Sequence, residues 1–191
     1  MAYQINDIIK LDVGEINTTL RCTENGIYIV RKEIYSQDTK TTDIFINKPQ
    51  IRYIYLNGDH RGSGLMINDR FFRLKEPKEC LRLIVGVLFD KNNCRKLMIQ
   101  TSLRQADGSV TPAPIYVWNK GIYSGDKFMV CDYITSLETG EGVVKIFMPT
   151  NLSSHKQLDL MVPEPHAILV HITNALYENA DGGDGDSTPT F

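Results

Sequence analysis

The residues best suited to chemistry are basic ones gathered in the middle of the chain. Between Arg70 and Arg104 stand nine basic side chains, Arg70, Arg73, Lys75, Lys78, Arg82, Lys91, Arg95, Lys96 and Arg104. Three acids oppose them, Glu76, Glu79 and Asp90, so this segment carries +6. The remainder of the 191 residues carries −8, and the net −2 hides this unevenness. Such a segment suits phosphate oxygens, an acidic partner surface, or the chain's own acidic segments. Strand alternation would equally scatter the same side chains over a solvated face. The candidates for phosphate contact are Arg70, Arg73, Arg82, Lys91, Arg95, Lys96 and Arg104. Tyr116, Trp118 and Tyr123 supply rings that stack on bases or pack in a core or interface.

Catalytic patterns are missing from the sequence. It has no G-x-S-x-G elbow, no G-x-x-x-x-G-K-S/T loop and no H-E-x-x-H. Gly58-Asp59-His60-Arg61-Gly62-Ser63-Gly64 precedes a strand pattern and not a helix, so it reads as a turn. His60, His155, His166 and His171 are isolated, and no H-x-H pair exists. On a strand, His166 and His171 would face opposite sides. Cys22, Cys80, Cys94 and Cys131 are far apart without C-x-x-C spacing, and are expected to be reduced and structural. The expectation is a protein without catalytic residues, metal or cofactor.

Composition sets the frame for these residues. Hydrophobic residues make up 42%, enough for a sizeable core. The longest apolar run, Leu81 to Phe89, falls short of the roughly 18 residues that span a bilayer, so no membrane partner is expected. The first residues lack the basic-then-apolar layout of a signal peptide. Together with the cysteines read as reduced, folding inside a cell is expected. Residues 1–178 read as one domain, and 179–191 as an acidic, glycine-rich tail.

The elements that must position these side chains read as β almost throughout. The predicted strands are Ile27 to Tyr35, Asp43 to Ile46, Ile51 to Leu56, Arg70 to Leu74, Leu81 to Phe89 and Lys96 to Leu103. They continue with Ile115 to Trp118, Lys127 to Ser136, Val143 to Met148, Gln157 to Met161 and Ala167 to Thr173. Most are bounded by Gly, Pro, Asn or Asp. Ile5, Ile8, Ile9 and Val13 show some helical spacing, but Gly14 follows at once. Short strands at regular spacing indicate an all-β fold, a single antiparallel sandwich or barrel.

One layout is more specific. Arg61-Gly62 lies in a Gly-rich loop, followed by Arg70-Phe71-Phe72-Arg73-Leu74 and then Leu81 to Lys91 closed by Asn92-Asn93. Gly125 to Asp132 and Pro163 to Val170 come later. From about Leu56 to Thr173 this resembles the single jelly-roll coat proteins of small single-stranded DNA viruses and plant satellite viruses. The resemblance implies a jelly-roll sandwich with long loops. It further implies a capsid subunit that assembles with copies of itself into an icosahedral virion, and that is found in the host cell interior during assembly. Its inner face would touch single-stranded nucleic acid without sequence preference. The usual arginine-rich arm is missing, since Lys10 is the one basic residue in the first twenty. The alternative is a non-viral β-sandwich binding module that recognises carbohydrate or protein through Tyr116, Trp118 and Tyr123.

Overall fold

The computed structural model describes residues 8–13, 16–35, 38–59, 62–74, 76–91, 95–104, 107–149 and 155–177. His60, Arg61, Lys75, Cys94 and the acidic tail lie outside these residues. The described chain is mostly β, in antiparallel sheets of the kind that build sandwiches. It falls into two compact units, Met1–Asn93 with Gly125–Lys127, and Cys94–Ser124 with Phe128–Phe191.

The first unit opens with four strands joined in sequence order, β1 (Ile8–Val13), β2 (Ile16–Thr23), β3 (Gly26–Tyr35) and β4 (Asp38–Asn47). Glu24-Asn25 makes the β2–β3 turn, with Thr23 opposite Gly26. A Cβ at Gly26 would lie 2.1 Å from the Ile46 carbonyl oxygen, so only glycine lets β4 approach here. Leu20, Cys22, Ile27, Ile29 and Ile46 are buried on one face, as period-two alternation requires. A second run of hairpins follows: β5 (Tyr53–Asp59), β6 (Gly62–Ile67) and β7 (Arg70–Arg73). Much of the expected Gly58–Gly64 turn is hairpin, since Asp59 pairs with Gly62.

The expected strand Leu81 to Phe89 is instead helical as far as Leu88, within helix α1 (Pro77–Leu88), and Phe89 follows its last turn. Its apolar run satisfies both periods, and the flanking residues decide. Pro77 needs no backbone partner in the first turn, and Glu79 complements the helix N-terminus. Cys80, Leu81, Ile84 and Leu88 then line one buried face against β2, β5 and β6. Asp90 takes a left-handed φ of 55° and ends the helix. Ile8 to Val13, with its partly helical spacing, is strand β1.

The second unit holds β8 (Leu97–Arg104), β9 (Val110–Trp118), β10 (Gly121–Tyr123), all but the first residue of β11 (Lys127–Val130), β12 (Ser136–Gly140), β13 (Val143–Pro149) and β14 (His155–Met161). Their order is β12-β13-β14-β8-β9-β10-β11. Leu97, Ile99, Thr101 and Leu103 are buried while Met98, Gln100 and Arg104 are exposed, so β8 has one inner face. The expected strand Lys127 to Ser136 breaks after Val130 into a tight 3-10 turn, Cys131–Tyr133. Ala167 to Thr173 is a second correction: it lies in helix α2 (Pro165–Tyr177). Pro165 opens that helix, and Ile172 and Leu176, four apart, are its buried anchors against β9, β12 and β13.

Among the described strands of each unit, neighbours are mostly consecutive in sequence, the exception being β14 beside β8. The interleaving that defines a jelly roll is not seen in these pairings.

Candidate nucleic-acid interface

The seven basic candidates divide between the two units. Arg70, Arg73, Arg82 and Lys91 belong to the first unit, and Arg95, Lys96 and Arg104 to the second. Several already have partners. Arg82 pairs with Glu79 at 2.5 Å, one turn away on α1. Arg104 reaches Asp159 at 4.0 Å and the Met161 sulfur at 3.5 Å. The Lys96 ammonium lies 5.6 Å from the centre of the Tyr116 ring. Lys91 and Arg95 also interact within the chain.

Arg70, like Lys96, lies against a ring, but it and Arg73 are more exposed. Both are exposed on β7, and among the described residues neither pairs with a carboxylate. Strand β7 pairs with β6 and stands last in the order β5-β6-β7, so it presents an edge. Arg70 lies 5.6 Å from the centre of the buried Phe72 ring, which holds its stem against the protein. Phe71 projects from the other face of the strand and is 39% exposed. Register places Phe71 opposite Met66 and Arg73 opposite Gly64. A Cβ at Gly64 would lie 2.8 Å from two Phe71 ring carbons and 2.1 Å from the Phe72 carbonyl oxygen. The bare glycine therefore lets the Phe71 ring lie across β6. Two exposed guanidiniums thus flank an exposed ring on one edge strand.

The β6–β7 turn fixes this strand. Asn68 adopts a left-handed φ of 54°, which asparagine tolerates. Its amide nitrogen Nδ2 donates to the Gln50 carbonyl at 2.8 Å, and its Oδ1 accepts from the Arg52 N–H at 2.8 Å. The Tyr53 hydroxyl donates to Asp69 Oδ1 at 2.5 Å, and Arg52 stands 3.6 Å from Asp69 Oδ2. Burial, with Asp69 beside it, pushes the Tyr53 phenol above its ordinary pKa, so it stays a donor.

The aromatic candidates of the second unit lie mostly inward. Trp118 is 1% and Tyr123 6% exposed, so both are core residues out of a ligand's reach. Trp118 packs on Phe128 with centroids 5.6 Å apart. Tyr116 is half-buried beside Tyr123 at 6.2 Å. Sequence reasoning passed over Tyr28 and Phe45, which face water 4.9 Å apart. Their pairing depends on the β3–β4 register, which local pattern does not reveal.

Burial pushes the Cys22 and Cys80 thiols up to about 12 and raises Cys131, which disfavours the nucleophilic thiolate. Among the described residues, no three His, Cys, Asp or Glu side chains form a group suited to a metal ion. His166 and His171 sit on α2 and not on a strand. No family model matches the chain, and no curated protein matches it.

Proposed function

We propose that this chain is a non-catalytic binding protein that contacts single-stranded nucleic acid without sequence preference, through the edge strand β7. The observation that supports it is the trio on that strand: Arg70 and Arg73 exposed without carboxylate partners, and Phe71 exposed between them. Guanidiniums attract phosphates of any sequence, and an open ring accepts the face of any base. A single strand following the β7 edge meets Arg70 from one side and Phe71 and Arg73 from the other. Two cations on a chain of net −2 give weak, salt-sensitive binding.

The sequence layout from Leu56 to Thr173 extends this proposal to a coat subunit that encloses nucleic acid in a shell of its own copies. The strand order lends that extension no support, and the nucleic-acid contact stands without it. Photocrosslinking to a thymidine-rich single strand, followed by mass spectrometry of the adducts, tests the proposal. Adducts on Phe71 and its neighbours are expected. Adducts confined to other elements, or none, would contradict it.

A further inference from the structure

Where its side chains are described, on β2, β3 and β4, the first sheet buries one face and leaves aromatic side chains open on the other. Register sets Arg21 opposite Tyr28 and Tyr28 opposite Phe45, so the three form one row across β2, β3 and β4. Thr19, Val30 and Asp43 form the row beside it. Tyr28 is 36% and Phe45 39% exposed, and their rings lie 4.9 Å apart at 43°. The Arg21 guanidinium sits 5.4 Å from the Tyr28 ring centre. Asp43 is exposed, and among the described residues neither it nor Arg21 makes an ion pair.

We propose that this face is a homodimer interface, in which two copies of the chain pack sheet on sheet with their Tyr28–Phe45 pairs in contact. The face is self-complementary. Arg21 on β2 and Asp43 on β4 flank the rings from opposite sides. A two-fold axis lying in the interface along the strands exchanges those sides, so Arg21 of one copy meets the β4 side of the other, where Asp43 stands. Tyr, Phe and Arg together are also the residue types enriched at interface centres. A polyanion is the poorer occupant, because Asp43 would face its phosphates. Over the described side chains the face spans three strands about 4.8 Å apart and about five residues of about 3.4 Å each, about 250 Å² per copy. Two copies then bury about 500 Å² there, below a standard specific interface, so the dimer is weak.

Analytical ultracentrifugation of the full chain, from low micromolar to near-millimolar concentration, tests this. A concentration-dependent dimer is expected, weakened about tenfold or more by Phe45→Glu. Arg21→Glu and Asp43→Arg should each weaken it severalfold, and their combination should restore it. Asp43 is exposed and Arg21 half-exposed, so this charge swap reads the interface even if Phe45→Glu fails to fold. A monomer at every concentration, a dimer insensitive to all these changes, or a charge swap that restores nothing would overturn the proposal. So would a monomeric wild type whose binding to a thymidine oligonucleotide is lost on Phe45→Ala. The variant Arg70→Glu/Arg73→Glu should dimerise like wild type, so failure of the β7 contact and failure of this interface are read separately.

Discussion

The Tyr53 hydroxyl donates to Asp69 Oδ1 at 2.5 Å, tying the start of β5 to the turn that launches β7. Among the described residues, Asp69 Oδ2 is buried without a hydrogen bond, and the Arg52 guanidinium stands 3.6 Å from it. The pairing fixes where Arg70 emerges, one residue beyond Asp69. Asp69→Ala leaves a buried hydroxyl and a guanidinium without their partner. It should cost about 1–3 kcal/mol in urea unfolding. Combined with Tyr53→Phe in a double-mutant cycle, the two changes should be non-additive by at least about 0.5 kcal/mol. Additive losses would mean that the contact does not couple the strands.

Gly64→Ala should damage both the fold and the interface. The new methyl would lie 2.1 Å from the Phe72 carbonyl oxygen, which is backbone and cannot swing away. β6 and β7 must separate, at a cost of about 2 kcal/mol or more. Thermal unfolding reads the loss, and a melting temperature unchanged from wild type would contradict the close approach.

Buried thiols give the fold an alkaline limit. Cys22 and Cys80 are raised by burial from the ordinary 9.0 to about 12, Cys22 also by Cys80, and Cys80 also by Glu76 and Glu79. Below pH 9 both thiols keep their protons folded and unfolded. From there to about 12 the unfolded chain releases protons that the folded chain retains, so stability falls as pH rises. The loss is on the order of 1 kcal/mol per pH unit for each cysteine. Urea midpoints measured at about pH 8 and about pH 10 should diverge in wild type and less in Cys22→Ala.

Trp118 separates a core role from a ligand role. Trp118→Ala removes a buried ring packed on Phe128 and should cost about 3–5 kcal/mol. Oligonucleotide affinity of the variant that remains folded should match wild type. Specific loss of binding at unchanged stability would reverse this assignment.

Much of the β architecture was legible from alternation. Ile27 to Tyr35 matches β3, Lys96 to Leu103 matches β8, and Gln157 to Met161 lies within β14. Leu81 to Phe89 and Ala167 to Thr173 were not, because short apolar runs satisfy both periods and the opening prolines, Pro77 and Pro165, lie outside them. The same limit applies to the site. Arg70 and Arg73 stand out in the sequence, but the partners of Arg82 and Arg104 depend on helix geometry and on a strand far along the chain. Trp118 reads as a contact or as core with equal ease until its burial is known.

The central claim is that β7 holds single-stranded nucleic acid by charge and stacking. Fluorescence anisotropy of a labelled oligothymidylate, titrated at several salt concentrations, tests it most directly. Binding should weaken with salt at a logarithmic slope of about −1.4, as expected for two phosphate contacts on a single strand. Arg70→Glu/Arg73→Glu should lower the affinity by about tenfold or more and flatten that slope. No binding at low salt, or a double variant that binds like wild type with the same slope, would contradict the claim.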